Sequence, residues 1–140
     1  MDVKKIVTDS APRPVGPYPH ARRVGDLLFV SGMGPRRPGT DDIPGGPVRD
    51  AEGKPRNYDI AAQTRSTIDN ISAVLTASGS SLAAVVDVTA FLIDMERDFV
   101  TFNRVYGEYF AAIGPTRTTV EVRALPTPIA VELKVIAWTG

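Results

Sequence analysis

Residues 84–93 read AVVDVTAFLI and are apolar on both alternating faces. Val85, Asp87, Thr89, Phe91 and Ile93 take one side of a strand, and Val86, Val88, Ala90 and Leu92 take the other. Such a strand needs cover above and below. The rest of the chain limits what cover there is. Periodicity predicts strands within 3–8, 20–31, 84–93, 117–123 and 130–138, and two helices, over 58–78 and 98–111. A strand–helix–strand crossover is nearly always right-handed, so two crossovers running the same way leave both helices on one face of the sheet. The opposite face must then be covered by another copy of the chain, and a closed homo-oligomer is expected.

The helices carry their own signals. Ile60, Thr64, Ile68, Ile71 and Leu75 recur at spacings of three and four, widened by Ala61 and Val74, and Gly79 is placed to end the helix. In the second helix Phe99, Phe102, Val105, Tyr106, Tyr109 and Phe110 face the core, with Asp98 expected at the N-cap. Residues 20–31 form two strands around Gly25-Asp26, preceded by a segment, 9–19, that four prolines stiffen. Residues 32–57 are rich in Gly, Pro and charge, with a small hairpin expected around Glu52-Gly53. A run of that length inside a compact domain is usually functional or mobile. The whole is read as one α+β domain over residues 1–140.

Composition excludes several chemistries. There is no cysteine, so disulfides, thiolate metal sites and a Cys nucleophile are out. His20 is the only histidine, which rules out multi-histidine metal centres. Lys plus Arg and Asp plus Glu are 16 each, and a net charge of zero disfavours a nucleic-acid or membrane partner. No stretch approaches the ~20 apolar residues of a membrane span. MDVKKIVTDSAPRP has no apolar run of signal-peptide length, and a cytoplasmic location is expected.

Few residues remain as candidates. Gly32 and Gly34 do not extend to a dinucleotide fingerprint, and Gly53-Lys54 has the wrong spacing for a phosphate loop. His20 reads first as a structural residue at the start of a strand and second as a base. Arg36 and Arg37 divide evenly between meeting an anionic substrate and forming a solvated pair. Arg117 opens the penultimate strand, and Glu132 stands among apolar residues in the last. Burying that carboxylate is costly unless it is paired or functional. Spacing alone favours a cross-strand ion pair, with Arg123 and Lys134 as other partners for Glu132. The functional alternative is an arginine that grips a substrate carboxylate and a glutamate that serves a water molecule.

A series of short segments resembles the RidA family, also called YjgF or the L-PSP endoribonuclease family. They are Gly16-Pro17-Tyr18, residues 25–32 (GDLLFVSG), Gln63-Thr64, residues 102–106 (FNRVY), residues 115–122 (PTRTTVEV), Leu125-Pro126, and Val131-Glu132-Leu133 with Ala137. The resemblance spans nearly the whole chain. It implies a chorismate-mutase-like fold with two helices on one face of a mixed sheet and a trimeric barrel core on the other. It also implies a homotrimer with sites in clefts between subunits, and cofactor-free, metal-free hydrolysis of imines and enamines such as 2-aminoacrylate. Onto this sequence it maps Arg117 as the carboxylate anchor, Glu132 as the residue serving the water, and Tyr18, Ser31, Gly32 and Asn103 as cleft residues. Pro19-His20, residues 36–38 (RRP), residues 59–64 (DIAAQT) and residues 114–120 (GPTRTTV) are similar to the 2-aminomuconate deaminase branch. That branch takes an enamine dicarboxylate, which adds Arg37 as a candidate substrate contact. Residues 123–128 (RALPTP) depart from that branch, so the choice between a mono- and a dicarboxylate stays open. A non-catalytic carboxylate binder and a ribonuclease are the rival readings, the latter disfavoured by charge.

Overall fold

The computed structural model describes residues 3–140. In chain order the elements are β1 (Val3–Ile6), β2 (Ala21–Val24), β3 (Leu27–Val30), α1 (Ile60–Ala77), β4 (Val85–Leu92), α2 (Met95–Phe110), β5 (Thr116–Glu121) and β6 (Val131–Trp138), with a 3-10 turn at Leu82–Ala84. The six strands form one sheet in the order β1-β2-β3-β6-β4-β5. β4 and β5 are parallel, and the other pairings are antiparallel. β3 and β4 both run antiparallel to β6, so the β3-α1-β4 connection is a crossover, as β4-α2-β5 is.

Both helices lie on one face. There Leu28, Val30, Val88, Ala90, Leu92, Leu133 and Val135 are fully buried against Ile68, Ile71, Val74, Leu75 and Phe102. Each such Val, Leu, Ile or Phe side chain contributes about 1.5–3 kcal/mol by leaving water. The opposite face is bare. Leu27, Phe29, Val120 and Trp138 are 37–53% exposed there, in register with Ile136 and Phe91. The expected alternation of β4 is modified at its start, because a bulge between Val85 and Asp87 turns Val85 inward with Val88 and leaves Val86 exposed.

The long segment after β3 is ordered by small devices. Arg49 and Pro55 form the bridge of the expected hairpin, and Asp50 closes it by accepting from the backbone N–H groups of Glu52 and Lys54 at 2.9 Å. Gly45 has φ +83, and a Cβ there would lie 2.6 Å from the Asp59 carbonyl oxygen.

Helix α2 starts earlier than its aromatic stripe indicates. Its N-cap is Asp94, whose carboxylate accepts from Arg97 N–H at 3.0 Å, and not Asp98. Asp98 is 1% exposed and accepts from the Tyr58 hydroxyl at 2.5 Å. Burial raises the Asp98 carboxyl above the ordinary aspartate value, and burial together with this bond pushes Tyr58 up to about 12. Asp98 therefore ties the lead-in of α1 to α2. Asp94→Ala is expected to lose about 1 kcal/mol of unfolding free energy through the lost cap. Urea denaturation of the variant and the wild type checks this.

Candidate active site

Glu132 stands on the bare face of β6, where its strand register pairs it with Phe91. It is half-buried and makes no hydrogen bond or ion pair among the described residues. Burial raises its carboxyl above the ordinary glutamate value, against an opposing pull from Lys134. Lys134 itself donates to the Val30 carbonyl at 3.1 Å. The carboxylate rests against Gly32, where a Cβ would lie 2.6 Å from Oε2. A side chain at position 32 would therefore require the Glu132 carboxylate to move.

Around this contact lies a cleft of about 450 Å³, part of it open to solvent. Tyr18, Ser31, Gly32, Arg36, His20 and Glu132 line it, with Pro126, Thr127 and Ile129 from the β5–β6 connection. Ser31 donates its hydroxyl to the Pro19 carbonyl at 2.7 Å, which locks the wall. His20 is 2% exposed and has both ring nitrogens engaged. Thr8 N–H donates to Nδ1 at 3.2 Å, and Nε2 lies 2.8 Å from the Pro12 carbonyl oxygen, the tautomer with its proton on Nε2. His20 clasps the proline-rich segment and is structural, as its first reading had it.

Arg117 lies elsewhere. Its strand neighbour is β4, not β6, so the ion pair with Glu132 favoured by spacing does not form. Arg117 pairs in register with Val88, on the helix face, whereas Glu132 is on the bare face. The guanidinium donates to Asn103 Oδ1 at 2.8 Å and sits 4.6 Å from the Tyr106 ring centroid, with Phe102 at 5.6 Å. Among the described residues no carboxylate is within ion-pair distance of it. Asn103 therefore orients Arg117 rather than lining the cleft within one chain.

The two loop arginines also separate. Arg37 is exposed and outside the residues lining the cleft, while Arg36 is among them. Arg36 bonds Asp41 at 2.7 Å and the Arg13 carbonyl at 2.8 Å. Backbone hydrogen bonds between Arg37 and residues 41–42 turn the chain here, so adjacent side chains diverge with no period to read in advance. Arg13, Pro126, Thr127 and Ile129 also line the cleft, and no charge or periodicity pattern marks them for it.

The sign of the Glu132 shift sets a pH dependence. The native state holds this proton more tightly than the unfolded chain does, so stability falls as pH rises from the ordinary carboxylate value through the raised native one. Glu132→Gln is expected to unfold at higher urea than the wild type at pH 7, with the gain vanishing below about pH 4. Urea midpoints at matched protein concentration across that range check it.

Comparison with known proteins agrees with this architecture. The profile of the family described as Endoribonuclease L-PSP matches residues 8–139. The chain is 41% identical over 133 residues to a RutC family protein of Pyrococcus horikoshii, covering 95% of each chain. It is 34% identical over 137 residues to the 2-iminobutanoate/2-iminopropanoate deaminase of Escherichia coli K12, covering 96% of each. The crystal structure of E. coli TdcF with bound serine matches with a TM-score of 0.83 at 32% identity, over 98% of this chain and 99% of that one.

Proposed function

The chain belongs to the Endoribonuclease L-PSP family, the RidA or YjgF proteins, and on that premise we propose that it is a cofactor-free hydrolytic deaminase of imine and enamine carboxylates. The observation that carries this reading is the pair of uncompensated charges. Arg117 has no carboxylate partner and Glu132 no hydrogen-bond partner among the described residues, and they occupy opposite faces. Arg117 stands on the edge strand β5, so a homotrimer closing over the bare face and this edge would bring Arg117 of one copy to the Glu132 cleft of the next. The site is then complete only between subunits.

The chemistry follows from those charges. Arg117 holds the substrate carboxylate, and the guanidinium geometry suits a bidentate grip. An enamine takes up a proton at its β-carbon, gives up one from its nitrogen and becomes the imine. Water attacks the imine carbon, giving up a proton as the C–O bond forms. Glu132, with its raised proton affinity, relays that proton to the nitrogen. The resulting carbinolamine passes its O–H proton to the nitrogen as the C=O bond forms and the C–N bond breaks, and the products are ammonia and a 2-oxo acid.

Arg13 and Arg36 on the cleft wall favour a substrate with a second anionic group. The finer reading is thus 2-aminomuconate, beside 2-aminoacrylate-type monocarboxylates. Ammonia release from both substrates is the test. Arg117→Ala is expected to lower kcat/KM on either by about 100-fold or more, the scale of a lost charge-stabilising donor. Arg36→Gln is expected to weaken turnover of the dicarboxylate selectively. No ammonia from either substrate, with small carboxylates still bound and unaffected by Glu132→Gln, would make the protein a binder instead.

The trimer has its own test. Sedimentation equilibrium is expected to give three chain masses, and Phe29→Asp on the bare face is expected to yield smaller species. A wild-type monomer would remove the shared-site reading.

A further inference from the structure

Helix α1 carries buried polar side chains that do not serve the helix. Thr64 and Thr67 donate to carbonyls of α1's own residues, Ile60 and Gln63. Gln63, Ser66 and Asn70 instead reach out to the segments that build the cleft. Gln63 is fully buried, donating from Nε2 to the Gly46 carbonyl at 2.9 Å and accepting at Oε1 from Ala130 N–H at 2.8 Å. Asn70, 5% exposed, donates to the carbonyls of Gly34 at 2.9 Å and Arg36 at 2.8 Å. Ser66 lies between them and donates to the Pro35 carbonyl at 2.8 Å.

The Asn70 bonds and the Ala130 bond of Gln63 divide by wall. Gly34 and Arg36 belong to the loop wall of the cleft, and Ile129, next to Ala130, belongs to the wall that continues into β6 and Glu132. The walls touch where a Cβ on Gly34 would lie 2.5 Å from Ile129 Cδ1. Gln63 and Asn70 are seven positions apart, about 10.5 Å along a helix. An irregular loop cannot satisfy its own carbonyls as a strand does, so the α1 amides fill that need while fixing the loop's place. We propose that Gln63 and Asn70 are positioning residues: from two points on one rigid helix they hold the loop wall and the strand wall in register, and so hold Glu132 against Gly32. The catalytic consequence rests on the deaminase reading, but the alignment itself does not.

The experiment uses Gln63→Met, which keeps side-chain length but removes both the acceptor for Ala130 and the amide donor without adding a charge, and Asn70→Ala. Ile68→Val is the control, a buried α1 residue with no part in these bonds. Two readouts are taken on the full chain. The first is ammonia release, where each variant is expected to lose about 10- to 100-fold in kcat with KM within about threefold, the effect of a small misplacement remote from the reacting atoms. The second is titration of the Glu132 carboxyl by carbon-13 NMR, which needs no activity. Tyr18, His20, Arg13 and Arg36 line its cleft, and Lys134 shares its strand face, so a shift in either wall changes its surroundings. The midpoint is expected to move in Gln63→Met and Asn70→Ala and to stay at the wild-type value in Ile68→Val. If Gln63→Met does not fold, Asn70→Ala carries both measurements. A wild-type Glu132 midpoint in both folded variants overturns the proposal, as does an equal shift in the control. Absence of wild-type ammonia release counts against the deaminase reading alone, and the titration still decides alignment.

Discussion

Two helices on one side of a six-stranded sheet leave the other side bare, and this imbalance organises the molecule. Within one chain the hydrophobic effect is satisfied on the helix face and unsatisfied on the face that carries Leu27, Phe29 and Trp138. The same bare face presents Glu132, a carboxyl that burial has already made reluctant to ionise. Apolar surface and an unpaired acid together define a face built to be met by something. In the proposed trimer, association and completion of the site are the same event.

The arginine half of the proposed site is stabilised differently. Arg117 is held by an amide oxygen and aromatic faces, which fix its direction without neutralising its charge. A carboxylate partner would have held it as firmly and left it with less attraction for a ligand. Asn103 and Tyr106 come from the same helix, α2, so the arginine's orientation depends on where that helix packs over β5. Buried Asp98 contributes to that placement through its bond to Tyr58.

Much of the fold was legible because local periodicity is a local property. The order of strands and helices, the two-sided β4, the hairpin near Glu52-Gly53 and the structural role of His20 all follow from short stretches. What was not legible depends on partners distant in sequence. Arg117 and Glu132 looked like neighbours because their strands are consecutive, yet β4 lies between them and parity of register sends them to opposite faces. The α2 cap was misplaced because the aromatic stripe begins at Phe99, one turn after the helix does. Arg36 could not be told from Arg37 without the turn that separates them. Gln63 and Asn70 did leave a trace: they are amides seven residues apart beside an apolar stripe, where a plain surface helix has no use for them.

The placement of β6 has a consequence during synthesis. This strand comes after the other five in the chain but lies between β3 and β4 in the sheet. A nascent chain halted before it would carry a β1-β2-β3 meander and a β4-β5 pair, each with an unpaired edge facing the gap. Such edges are templates for wrong partners. The strand that brings Glu132 is also the one that joins the two halves, so a truncated chain would lack the carboxyl and display the surfaces by which cells recognise an unfinished protein.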